Sequence, residues 1–147
     1  MVTLTSKTVC QNSFKNVLVC LRDNLTDPES RSNKKWVASS FPDNRGSTWV
    51  DYPLVVVGQP SINVERESFG AKNNQTVMIS FAITIYSNKM EYADSIADDI
   101  KDQLETELED LTLESMPPSE SDTITIDGKK VYVKTLNVNF IWNGDIT

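Results

Sequence analysis

The chain has 147 residues, of which 39% are hydrophobic and 24% charged; its net charge is −7 and it has no histidine. That length fits one domain with a useful core, and the ordinary composition excludes disorder along the whole chain. The apolar runs are too short to span a bilayer, and the acidic balance makes the chain a poor ligand for phosphate backbones.

The charge is unevenly spread. Residues 1–50 hold seven Lys/Arg against four Asp/Glu; residues 51–147 hold seven against seventeen. The first third is therefore weakly basic and suits an acidic partner, or is simply a solvated surface. The N-terminus shows no basic segment followed by an apolar one, so no signal peptide is expected.

The first predicted element is a helix. Val9, Phe14, Val17, Leu18, Leu21 and Leu25 recur mostly at three- and four-residue spacings. Ser6 or Thr8 is placed to cap its start, and Asn24 and Pro28 mark its end. Cys10 and Cys20 fall on this helix, about 15 Å apart, too far for a disulfide. Both are expected to be reduced, buried and inert, which suits folding in the cytosol.

Residues 26–48 have no clean period and predict a long polar loop or arm. Lys34, Lys35, Trp36, Phe41 and Arg45 lie in it. Loops of this length are usually functional or mobile. Its two aromatics either dock onto another subunit or tuck onto their own core, and Trp and Arg are favoured at binding hot spots.

A block of strands is predicted next. Trp49 to Val57 is apolar but contains Pro53, which favours a strand start or an edge. Ser61 to Phe69 alternates. Gly70-Ala71-Lys72-Asn73-Asn74 predicts an exposed turn, so Gly70, Lys72, Asn73 and Asn74 become a second candidate contact. In the next strand Val77, Ile79, Phe81, Ile83 and Ile85 share one face, and Thr76, Met78, Ser80, Ala82, Thr84 and Tyr86 the other. This second face is semi-polar and suits either solvent or a neighbouring subunit.

A second helix follows, with Asn88 and Glu91 forming a capping box and an apolar stripe from Ala93 to Leu111. Asp94, Asp98, Asp102, Glu105 and Glu109 make a solvated acidic face. A polar loop spans residues 114–122. Thr123 to Ile126, then Asp127-Gly128, predict a strand and tight turn. A long strand from Lys130 to Trp142 changes parity near Thr135, which predicts a β-bulge. The sum is an α+β fold: a mixed, largely antiparallel sheet with two helices on one face, in one domain of residues 1–147.

The sequence lacks a phosphate-binding Gly-rich loop. Without histidine, Ser-His-Asp and Cys-His catalysis are excluded, and two separated cysteines do not make a structural zinc site. The aspartates at 94, 98, 99 and 102 lack the loop pattern that bends carboxylates around calcium. No cofactor, metal site or catalytic residue is expected.

Residues 52–111 carry a resemblance. Tyr52-Pro53-Leu54-Val55-Val56-Val57-Gly58, the strand ending Ile83-Thr84-Ile85-Tyr86-Ser87, and the helix Glu91 to Ile100 reaching Leu104 resemble the tail-terminator (tail-completion) proteins of long-tailed bacteriophages. The N-terminal helix and the strand from Val131 to Trp142 complete the order. The resemblance implies a non-enzymatic virion protein. It would form a ring, commonly a hexamer, on the head-proximal end of the tail tube. The ring would end tube polymerisation and offer a surface for head joining. Expected partners are other copies, the tail tube protein and a head–tail connector or neck protein. Neither membrane nor sequence-specific nucleic acid is expected, though the genome would pass through the ring. The expected location is the virion, with assembly in the host cytoplasm. Two other readings fit the sequence: a head-closure or neck adaptor of the same joint, and a cellular binding module or carboxylate hydrolase centred on Asp94 and Asp98.

Overall fold

A computed structural model describes residues 3–5, 7–32, 34–41, 52–66, 74–108, 110–117, 120–126 and 128–145, with backbone alone for residues 65, 66, 74, 75, 144 and 145. The order is α1 (Val9–Asn24), β1 (Val37–Ala38), β2 (Leu54–Val57), β3 (Ser61–Arg66), β4 (Asn74–Ser87), α2 (Met90–Thr106), β5 (Thr112–Ser115), β6 (Glu120–Ile126) and β7 (Lys129–Asp145). The chain is α+β, with two helices and one seven-stranded mixed sheet. Only the β1–β2 pair is parallel among the strand pairs described.

The sheet is built around two long strands. β4 and β7 pair antiparallel from Asn74↔Asp145 to Ser87↔Tyr132 without a register shift. Short strands flank them in tandem. β2 and β3 lie end to end along one side of β4, with Val57 opposite Ile83 and Ser61 opposite Ser80. Gly58-Gln59-Pro60 thus face only Phe81-Ala82, a one-residue bulge. β5 and β6 lie end to end along the outer side of β7 in the same way. β1 adds to the outside of β2.

Strict alternation decides which side of the sheet is covered. Val77, Ile79, Phe81, Ile83 and Ile85 are all buried, as are Leu136, Val138, Phe140 and Trp142 opposite them. The Phe81 and Phe140 rings meet edge to face, centroids 5.9 Å apart, a favoured cross-strand aromatic arrangement. α2 lays Ala93, Ile96, Ala97, Ile100 and Leu104 on this face. α1 adds Val9, Val17, Cys20 and Leu21. Each such Leu, Ile or Val contributes about 1.5–3 kcal/mol by leaving water.

Several expectations change in the structure. There is no bulge at Thr135: it pairs with Thr84 in continuous register. Val131 and Val133 change parity because they lie on the opposite face, where Val131 pairs with Ile124 and Val133 with Tyr86. The expected polar loop at 114–122 holds the last two residues of β5 and the first residues of β6. α2 stops at Thr106, and Leu108 and Leu111 are buried beyond it. The capping box does not form. The N-cap is Lys89, whose N–H donates to Ser87 Oγ at 3.1 Å, so the end of β4 supplies the acceptor. At α1 the N-cap is Thr8, and its hydroxyl bonds Thr5 rather than a helix N–H. Cys10 and Cys20 are both free thiols, but Cys10 is exposed.

Candidate assembly surfaces

The arm after α1 is fastened by one carboxylate. Asp27 accepts from Glu29 N at 2.9 Å and Arg31 N at 3.0 Å, and from the Arg31 guanidinium at 2.7 and 3.2 Å. Burial pushes the Asp27 carboxyl up. The Arg31 side chain and the two backbone donors outweigh that and hold it below its usual value. Ser30 takes a left-handed conformation (φ 52°) to complete the turn. Arg31 then donates to Pro53 O at 2.7 Å and stacks over Trp36, 5.5 Å from the ring centre. The arm is thereby tied to the start of β2, which follows Pro53 directly.

The two arm aromatics separate here. Trp36 is 1% exposed and belongs to the main core, with its Nε1 donor unpartnered. As a docking residue on an open arm, Trp36 is corrected: β1 draws it inward, since Val55 N donates to Trp36 O at 2.7 Å. Phe41 is 38% exposed. Its ring meets Tyr86 edge-on at 4.9 Å, so it lies on the sheet face away from the helices. Lys34 and Lys35 are exposed in the turn before β1. Asn74 is corrected from a turn to the first residue of β4, opposite Asp145. Arg45, Gly70, Lys72 and Asn73 lie outside the described residues, as does the turn they define.

Sequence reasoning left the second sheet face open. It comprises the pairs Thr76–Asn143, Met78–Ile141, Ser80–Asn139, Ala82–Asn137, Thr84–Thr135 and Tyr86–Val133. None of these residues is charged, and neither helix lies on this face. Hydroxyls and amides link its strands. Ser80 Oγ donates to Asn139 Oδ1 at 2.7 Å, and Asn139 Nδ2 to Ser115 Oγ at 2.9 Å. Thr76 Oγ1 donates to Asn143 Oδ1 at 2.9 Å. Satisfying these groups laterally lowers the cost of covering them.

The helix side is acidic by contrast. Asp94, Asp98, Asp102 and Glu105 are exposed on α2; Glu109 lies outside the described residues. Asp94 meets Lys134 of β7 at 2.6 Å across a cleft of about 340 Å³. Asp99 accepts from Thr26 N at 3.0 Å, joining α2 to the end of α1. Among the described residues no group of three or more His, Cys, Asp or Glu is placed to hold a metal ion, and no helix is long and apolar enough to cross a membrane. Cys20 is buried beside Asn24, whose Nδ2 lies 3.9 Å from the sulfur. Burial, with lesser contributions from Glu107 and Asp23, pushes its thiol up against the lowering effect of Asn24.

Neither the protein-family models nor the curated proteins give a sequence match to this chain.

Proposed function

We propose that the chain is a non-enzymatic virion structural protein. It forms a ring, on the expectation of six copies, that caps the head-proximal end of a tail tube. The cap ends tube polymerisation and provides the surface on which the head is joined. One observation carries this reading: a broad sheet face whose central β4–β7 ladder is uncharged, opposite an acidic helical face. A stable interface needs about 800 Å² from each partner. The β4–β7 ladder is roughly 46 Å long at about 3.3 Å per residue, enough for such a contact with its flanking strands. Charge is depleted from the centres of interfaces while the rim is polar; here the central ladder is uncharged, and Glu120 and Asp122 of β6 stand beside it at the edge. The order of helices and strands supports the same reading through the resemblance drawn from residues 52–111.

The test is tube growth. Purified tail tubes are extended with tube protein in the presence of this chain and imaged by negative stain. Tubes should stop at lengths set by the time of addition, each with one ring at one end. Continued growth at saturating chain would sink the proposal. Recovery of the chain on separated heads, rather than tails, would replace it with the neck-adaptor reading.

A further inference from the structure

We infer that copies of this chain join head to tail, the acidic outer edge of β6 on one copy seated against the basic β1 arm of the next. This rests on the self-assembly part of the proposed function and names the contact that would make it.

β6 pairs with β7 along one side. Its outer side has no strand partner among the described residues, and Glu120 to Thr123 are exposed. Such an edge is a template for association unless covered. It carries Glu120 and Asp122 and no basic residue. Lys129 and Lys130 stand at the turn end of the hairpin, away from Glu120.

The opposite edge of the sheet differs in kind. At β1 the outward backbone groups are already used: Val37 N donates to Lys34 O at 3.2 Å, and Val37 O accepts from Arg22 Nε at 2.9 Å. This edge therefore meets a neighbour with side chains, and the exposed ones beside it are Lys34 and Lys35. The nearby Asp27 is already neutralised by Arg31.

Strand direction agrees with charge. β1 runs parallel to β2, and β2, β4, β7 and β6 alternate in direction. A neighbour rotated about an axis along the strands brings its β1 antiparallel to β6, continuing the alternation. An isologous pairing would set like edge on like edge and repel. The contact is therefore heterologous, and it closes into a ring when its rotation divides a full turn. In a chain of net charge −7, opposed lysines and carboxylates set register and speed encounter more than they add raw affinity.

The test uses two charge-reversed full-length chains, Glu120→Lys/Asp122→Lys and Lys34→Glu/Lys35→Glu, each checked for folding by circular dichroism. Self-association is followed by sedimentation velocity at low salt. Each variant alone should associate at least about tenfold more weakly than the unaltered chain. An equimolar mixture should recover, because the reversed edge of one variant fits the reversed arm of the other. Undiminished association of either variant alone, or a mixture that stays dissociated, overturns the contact while leaving the ring reading in place. An unaltered chain that stays solitary even on tail tubes overturns both. Rings that recover in the mixture but fail to stop tube growth support the contact and overturn the terminator role.

Discussion

Replacing Gly58 by alanine tests the tandem-strand construction of the sheet edge. A Cβ at residue 58 would sit 2.9 Å from Ala82 O, a backbone atom that cannot swing aside. The same oxygen accepts the Gly58 N–H at 2.9 Å. The methyl group must therefore push β2 away from β4 at the bulge, straining a bond it cannot avoid. Overpacking costs about 1–3 kcal/mol, and weakening a backbone hydrogen bond adds about 0.5–1.5 kcal/mol. The lower entropy of the unfolded alanine chain offsets about 0.4–1 kcal/mol. The net loss is about 2 kcal/mol, or roughly 4–8 °C in Tm at this chain length. Urea unfolding followed by tryptophan fluorescence measures it. At a relaxed site the entropy effect alone would make alanine slightly stabilising. An unchanged or raised urea midpoint would therefore refute the close approach of β2 to Ala82.

Three further outcomes follow from the described packing. Trp36→Ala should cost about 3–5 kcal/mol, whereas Trp36→Phe should cost much less, because the phenyl ring keeps most of the buried volume and neither change breaks a hydrogen bond at Nε1; equal losses in urea unfolding would contradict the packing of the ring in the core. Against burial, which pushes it up, the Arg31 side chain and two backbone N–H groups hold the folded-state pKa of Asp27 below the usual carboxylate value, so its contribution is fully present above that usual value and is lost as pH falls through the lower folded one. Asp27→Asn should therefore lose less urea stability between pH 6 and acid pH than the unaltered chain loses, and an equal loss in the two would refute the Asp27–Arg31 clasp. Finally, a thiol-reactive dye at pH 8 should label Cys10 in the folded chain and Cys20 only after denaturant, since Cys20 is buried with its thiol pushed up; rapid labelling of both would refute the packing of α1.

The long elements were legible because each carries its own period. β4 alternates over its length, and α2 has a stripe that only a helix can place on one side. The tandem edge strands were not, since β1 and β5 are short and take their structure from partners distant in sequence. β1 forms because Trp36 O meets Val55 N, and β5 because Leu113 lies against Phe140. The parity change at Thr135 was visible, but two physical causes produce it. A bulge would flip the strand, whereas here the chain stays in register and its apolar residues serve two different faces. The candidate contacts divide similarly. Lys34 and Lys35 were identifiable from exposure expected of a polar arm. The burial of Trp36 depends on Arg31 and Asp27 closing the turn, and Asp27 differs from any surface aspartate only through those hydrogen bonds. The acidic edge at Glu120 and Asp122 was missed because it sat in what looked like a loop.

The unbroken β4–β7 register has a mechanical consequence. At about 1.5 Å per residue α2 is roughly 25 Å long, little more than half the ladder it lies on. Near one end of the sheet, on the helix side, Val64 is left 46% exposed beside buried Val77. The two central strands therefore act as a cantilever whose root is clamped under helices and whose free end is held by backbone rungs, between β4 and β7 and to β3 and β5 beside them. Force received at that free end travels to the clamped half through backbone hydrogen bonds rather than through a hinge.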